Sequence, residues 1–384
     1  MLSSFDYKLL SPNFTLGKGK KLFQESERKI INHAFFSSST QSEIIEKTKI
    51  SQQTTSRLVK TLFEQGVLHQ TSKTSSGGRG QPGYHLKTSA DFAYGIGIAI
   101  LTDSLVISVM DFSGEIIYDK TMPLLNMTVK NVMLHLTTLF DEIFINTNIQ
   151  KEKVLGIGVG ISGYFTTEKD KINTHNRLEE WADVNISKIL TDKFNLPVWV
   201  DNDATVAAAG EGILGIGKYC NNFVYLFISV DFGGGIIIDG DIMHGTHGNA
   251  GEVGDILPPK IYVYPNLENL RQILINNGVN ISTHADLMTS FDINWPGIQE
   301  WITKVKDAVS LVASSSAALL DTQAIVIGGH IPKSLSKLLI KEVVMYALHR
   351  RSSERPKPEL LISEVTYEPV SVGAASLPFR ALCL

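Results

Sequence analysis

Residues 94–118 read YGIGIAILTDSLVISVMDFSGEIIY, and their pattern decides the architecture. Residues 94–110 are largely apolar on either side of a polar break, which predicts strand, turn and strand. Asp111, Phe112, Ser113 and Gly114 read as a hairpin turn, and residues 115–118 as a third strand. Residues 129–146 carry a helical pattern, and VLGIGVGI at 154–161 is a near-continuous apolar run typical of a strand covered on both faces. The pattern partly recurs from Asn222 as FVYLFISV, then GGGIIID, then a Gly-Asp turn. Two such halves with helical insertions read as a duplicated, two-lobed α/β fold with a cleft between the lobes.

The chain has 384 residues, 43% apolar and 19% charged. That length predicts two or three domains at roughly 150 residues each, and that composition excludes general disorder. No apolar run approaches the roughly 20 residues that span a bilayer. The stretch MLSSFDYKLLSPNF carries Asp6 and Lys8 and lacks a sustained apolar core, which argues against a secretory signal. Two cysteines, Cys220 and Cys383, are too few for a Cys-based zinc site or a disulfide framework, and they fit a reducing cytoplasm.

The net charge of −4 is unevenly spread. Residues 1–90 hold 13 Lys and Arg against 6 Asp and Glu, whereas the remainder holds 22 against 33. A basic segment on an acidic body points to a polyanion-binding module, although a solvated basic surface would look the same. Three short helical patterns sharpen the choice. Residues 25–36 place Ile30, Ile31, Ala34 and Phe35 on one face. Residues 40–48 open with a capping box of Thr40 and Glu43, and Ser51 caps a third helix over 52–65 that turns Leu58, Val59, Leu62 and Phe63 inward. Ser51, Gln52, Gln53, Thr54, Ser56, Arg57 and Lys60 lie at its N-terminal and outward positions, where Gln and Arg can read base edges and the hydroxyls and Lys can meet phosphates. Gly66 closes the helix, and residues 67–70 start a wing that continues into SKTSSGGRGQPG at 72–83, a Gly/Ser-rich stretch that can bring Arg79 to a minor groove or serve as a domain linker.

Four ordered motifs follow along the body: DNDATVAAAGE at 201–211, DFGGGIIIDG at 231–240, HGNAGEVGD at 247–255 and IVIGGHI at 325–331. Together they resemble the ROK family of repressors, open reading frames and kinases, specifically its NagC/XylR-type repressor branch, over nearly the whole chain after about residue 20. The resemblance implies an α/β fold class: a winged helix-turn-helix over 1–88, then a two-lobed actin-like, ribonuclease-H-like ATPase fold. Its first lobe would comprise 89–205 with 370–384, and its second lobe 206–369. It also implies a sugar pocket in which Asn176 and Asn202 bond sugar hydroxyls, Asp203 holds the position of a kinase general base, and Glu252 lies on the anomeric side. Such groups suit paired hydroxyls, although Asn202 and Asp203 would equally cap the helix that follows them, and Glu252 alone could be a solvated loop acid.

Two family features are missing. Aligned on the turn at Asp111, the Asp of the first phosphate loop falls on Ala99, and its Gly-Gly-Thr falls on Leu101, Thr102 and Asp103. Phosphoryl transfer depends on positioning and charge stabilisation, so no catalysis, and neither ATP nor Mg, is expected. The resemblance also implies a zinc-ligating His and a Cys cluster, but Asp255 stands at the His position and no Cys follows, so no metal is expected. Asp255 can still accept a sugar hydroxyl. Residues 298–320 read as a long Ala/Ser-rich core helix, 334–348 as an amphipathic helix, and 350–358 as a polar loop. The expected function is a cytoplasmic, sugar-responsive regulator, a repressor that binds double-stranded operator DNA as a homodimer or higher homo-oligomer and answers to a sugar or sugar phosphate. The alternatives are an ATP-dependent sugar kinase with a DNA-binding head, and a regulator controlled by a protein partner.

Overall fold

A computed structural model describes residues 21–73, 84–167, 171–346 and 356–384. Contacts divide the chain into two units, residues 1–201 with 371–384 and residues 202–370. The expected lobe boundary at 205/206 therefore falls a few residues late, inside a helix. The expected head boundary at 88 is not a division between units, for the reason given below.

The N-terminal head consists of α1 (Glu25–Phe36), β1 (Ser39–Thr40), α2 (Gln41–Thr48), α3 (Gln52–Glu64), β2 (Leu68–Lys73) and β3 (Tyr84–Thr88), its sheet ordered β1-β3-β2. Ile30, Ile31, Ala34 and Phe35 of α1 are all buried. The Thr40 box forms, with the Glu43 amide donating to Thr40 Oγ1 at 3.3 Å and the Thr40 amide donating to Glu43 Oε2 at 2.7 Å. Lys49, in the left-handed region at φ 57°, ends α2 and turns the chain into α3. The buried face of α3 is Thr55, Leu58, Val59 and Leu62, with Phe63 only partly covered. Spacings of three, four and seven from Thr55 define that stripe, and Phe63 falls one position past it.

The first lobe follows as β4 (Tyr94–Ile100), β5 (Ser104–Asp111), β6 (Ile116–Pro123), α4 (Val129–Asn146), β7 (Val154–Ile161), β8 (Gly163–Phe165), β9 (Ile172–Thr174), α5 (Ile186–Phe194) and β10 (Val198–Asn202). The third strand thus starts at Ile116 and runs further than expected. The second unit holds α6 (Asp203–Leu214), β11 (Phe223–Ile228), β12 (Phe232–Ile238), β13 (Asp241–Ile242), α7 (Leu267–Asn276), α8 (His284–Ser290), α9 (Ile298–Leu320), β14 (Ala324–Gly329), α10 (Lys333–Glu342) and β15 (Glu359–Ile362). Strand orders are β10-β7-β4-β5-β6 and β13-β12-β11-β14-β15. In both sheets the central strand (β4 or β11) is antiparallel to its successor and parallel to the third neighbour (β7 or β14), so the duplication read from the sequence is present in the topology. Helix α10 ends at Glu342, not near 348. The amides of Val344 and Tyr346 leave the helix to donate to Ser310 Oγ and Ser314 Oγ of α9, at 2.9 and 2.8 Å. Among the described residues no helix is long and apolar enough to cross a membrane.

The last helix, α11 (Pro369–Leu382), begins in the second unit and continues into the first. It lies on a strip of glycines. Gly95 and Gly97 of β4 pair in register with Gly156 and Gly158 of β7. A Cβ on Gly97 would sit 1.9 Å from the Ser371 carbonyl oxygen, one on Gly158 1.9 Å from that of Ala374, and one on Gly95 2.1 Å from that of Ala375. Ser371 Oγ bonds Ser108 Oγ of β5 at 2.7 Å within the same contact. At its far end Phe379 meets Phe112 (5.4 Å between ring centroids) and Phe35 of the head (6.2 Å), and Phe92 packs on Phe112 at 5.0 Å. Lys21 Nζ donates to the Arg380 carbonyl at 2.7 Å and the Leu22 amide to that of Leu382 at 2.8 Å. The head is therefore packed into the first unit through α11. Replacing Gly97 with Ala forces helix and sheet apart and is expected to cost about 1–3 kcal/mol, the usual penalty for overpacking. Urea denaturation reads this as a lower midpoint, and an unchanged midpoint would contradict the close approach.

Candidate functional site

Two groups of side chains stand out, one on α3 and one in the second unit. On α3, Ser51 is the N-cap: its Oγ accepts from the Thr54 amide at 3.3 Å and donates to Thr54 Oγ1 at 2.9 Å. Ser51, Gln52, Gln53, Ser56, Arg57 and Lys60 are exposed and Thr54 is partly so. Ser56 accepts from the Gln41 amide group of α2, which ties the two helices together. Lys60 approaches Glu64 at 3.8 Å, an exposed pair worth little. The helix thus presents Gln, Ser, Arg and Lys on the face opposite its buried stripe, on a fold whose second and third helices are joined by a tight turn. Arg79 lies outside the described residues.

In the second unit, Asn202 is the N-cap of α6, its Oδ1 accepting from the amides of Ala204 (2.8 Å) and Thr205 (3.2 Å). The capping role read as an alternative is therefore real. Asp203 opens the helix, and its carboxyl is pushed up to about 6. Burial is the main cause, opposed by the Ala204 amide and by His330, and reinforced by Asp231 and Glu368. Glu252 is pushed up to about 7 by burial and then by Asp255, Asp203 and Asp231. Tyr264 is raised too, by burial and by Asp231, Asp255 and Glu252. These interactions join Asp203, Glu252 and Asp255 with Asp231 and Tyr264, neither of which the sequence marked as a site residue. Asp255 is exposed. Asn176 belongs to the first unit, at the exposed start of a 3₁₀ turn capped by His175, whose Nδ1 accepts from the Arg177 amide at 3.2 Å.

The glycine run at 233–235 is interior to strand β12 and is not itself a loop. A Cβ on Gly235 would meet Ala208 of α6 at 2.4 Å, and one on Gly234 would meet Val253 at 3.0 Å, so these glycines let α6 and the 251–255 turn reach the strand. The turn before it, from Ser229 to Asp231, closes through the Ser229 amide and the Asp231 carbonyl at 2.8 Å. Beside it, Gly329 takes φ +95°, where a Cβ would lie 2.6 Å from the Ile228 carbonyl oxygen, and directs His330 toward Ser229. Ser229 Oγ and His330 Nδ1 are 2.7 Å apart, and His330 Nε2 is 3.0 Å from Glu368 Oε1. Glu211, last residue of the DNDATVAAAGE stretch, is wholly buried and accepts from Ser363 Oγ and from the amides of Ile216 (3.1 Å) and Glu364 (3.0 Å), a structural carboxylate rather than a ligand group. In the first unit the turn between β4 and β5 is Leu101-Thr102-Asp103, with Asp103 Oδ1 accepting from Ser104 Oγ at 3.1 Å.

The ROK family matches residues 95–279. The duplicated sheet and the ordered motifs agree with that match. The chain belongs to the ROK family. A xylose repressor of Caldicellulosiruptor bescii is 32% identical over 223 residues, which cover 55% of this chain and 54% of that one. The match thus spans about half the length of that relative. A crystal structure of a ROK-family transcriptional regulator, a homolog of the E. coli MLC protein, superposes with TM-score 0.65 at 20% identity, covering 92% of this chain and 96% of the other. A ROK glucokinase of Streptomyces griseus, solved with glucose and AMPPNP, superposes with TM-score 0.57 at 18% identity, covering 74% and 99%. Identities this low carry the fold alone.

The raised carboxyls set a pH dependence. Folded Glu252 keeps its proton to about pH 7, whereas the unfolded chain releases it near 4.5. The folded form therefore binds more protons between those values, and stability falls as pH rises through that window. Glu252→Gln is expected to be more stable than the parent by ~1–3 kcal/mol at pH 8, with the advantage vanishing near pH 4.5. Equal thermal midpoints at pH 8 would contradict the burial.

Proposed function

We propose that this protein is a sugar-responsive transcriptional repressor. In this reading α3 enters the major groove of a near-palindromic operator, and a sugar bound by the ROK body changes operator affinity. The observation that carries it is the exposed face of α3, where Gln52, Gln53, Ser56, Arg57 and Lys60 stand together on a winged helix-turn-helix head. Membership of the ROK family and similarity to xylose repressors support a sugar as the effector. Asn202, Asp203, Glu252 and Asp255 offer the hydrogen-bonding groups for hydroxyls, with Asn176 a further candidate. Binding at two half-sites requires a dimer, with half-sites spaced by whole helical turns.

Catalysis is left out of this reading because a Leu-Thr-Asp turn supplies no glycine amides for phosphates. Asp231 also opens the glycine-rich stretch that resembles a second phosphate loop, where a carboxylate would oppose phosphate charge. No metal or nucleotide is required. A kinase is the second reading, favoured by the near-neutral Asp203 carboxyl, which suits a general base, and by the glucokinases among its relatives. ADP release across common hexoses that disappears in Asp203→Asn would establish the kinase.

Arg57→Ala tests the repressor directly. If Arg57 reads a base, the variant loses ~1–3 kcal/mol of operator affinity, roughly 5- to 150-fold, with relaxed specificity at one position. A fluorescence-anisotropy titration at fixed salt measures it, and unchanged affinity would remove α3 from the groove.

A further inference from the structure

His330 and Glu368 are both tied to the start of α11. Glu368 precedes Pro369 and is largely buried, with its side chain 13% exposed. Its Oε1 accepts from the Val370 amide at 3.1 Å, so it caps the first turn of α11, where a carboxylate also suits the helix dipole. The same oxygen is 3.0 Å from His330 Nε2, and His330 Nδ1 is 2.7 Å from Ser229 Oγ. Ser229 in turn belongs to the tight turn that presents Asp231, so one hydrogen-bonded chain runs from the acidic group of the second unit to the start of α11.

Helix α11 then has little freedom of its own. From Ser371 to Ala375 its carbonyl oxygens lie where any side chain on Gly95, Gly97 or Gly158 would be. Its far end holds the head through Phe379 against Phe35 and through Lys21 on the Arg380 carbonyl. From residue 368 to residue 379 is about 16 Å of helix at ~1.5 Å per residue. Pro378 removes one backbone hydrogen bond just before Phe379, and upstream of it the close packing on the glycines passes a displacement of the cap along the helix toward that ring.

We propose that His330 and Glu368 are positioning residues that couple the ligand site of the second unit to the DNA-binding head through α11. The inference rests on the repressor reading above. Neither residue needs to touch the sugar. The bound sugar acts by shifting the Ser229–Asp231 turn, which His330 and Glu368 pass to the first turn of α11.

Glu368→Ala removes the cap, whereas Glu368→Gln keeps an acceptor for both the Val370 amide and His330. Amide hydrogen exchange on the full chain decides the coupling without DNA. Glu368→Ala is expected to speed exchange in α1 as well as in the first turn of α11, with β4 and β7 unchanged and Glu368→Gln close to the parent. Faster exchange confined to residues near 368, or raised equally everywhere, would overturn the coupling.

Operator binding gives the second readout. Glu368→Ala is expected to change operator affinity at least fivefold, and its effect should be non-additive with that of Phe379→Leu. Sites this far apart are otherwise additive, so simple additivity on operator affinity would also overturn the proposal. Should the parent bind no specific DNA, the repressor reading fails, and exchange in α1 still decides whether α11 couples the two regions.

Discussion

The backbone of α11 rests directly on bare glycines of β4 and β7, and the organisation of the first unit depends on that contact. Strands with side chains at 95, 97 and 158 would hold a helix at side-chain distance. Here the carbonyls of Ser371, Ala374 and Ala375 occupy that space. The helix fills the face of the sheet, leaves Ser371 to bond Ser108, and delivers Phe379 to the ring cluster under the head. The alternation YGIGIAI is thus a packing instruction as much as a strand pattern. It accounts for the grouping of the N-terminal head with the first unit.

The second unit repeats the strand order of the first but uses its glycines differently. Gly234 and Gly235 admit Val253 and α6, and Gly329 turns the chain so that His330 meets Ser229. Burial first, and then the neighbouring carboxylates, raise Asp203 and Glu252: Asp231 acts on both, and Asp255 and Asp203 act on Glu252. A carboxyl that keeps its proton can donate as well as accept, which suits hydroxyl-bearing ligands.

Much of the fold was legible because it rests on local rules. The period-two apolar runs, the Thr40 box, the Ser51 cap and the long α9 all follow from spacing and caps, and the structure has them where the residues say. Departures arise where distant contacts decide. Helix α10 stops at Glu342 because Ser310 and Ser314, on another helix, capture the following amides. Thr55 replaces Phe63 in the core of α3 because the tertiary stripe is set by the neighbouring helices. At the candidate site, Asn202, Asp203 and Glu252 carry motif signals. Asp231 and His330 lie inside the motifs at 231–240 and 325–331, yet nothing in those motifs marks the two side chains for a role, and Glu368 lies in no motif. Nothing in the spacing from 229 to 330 to 368 could have joined those three.

The most direct test of the account is selection of fragmented DNA from the source organism by the full-length protein, with the retained fragments sequenced and then challenged with sugars, d-xylose first. The account predicts enrichment of a few near-palindromic sites beside sugar-uptake or sugar-processing genes, and release of those fragments by one sugar. Retention that is uniform across sequences and lost simply with added salt would contradict it, since that is the signature of backbone charge without base readout.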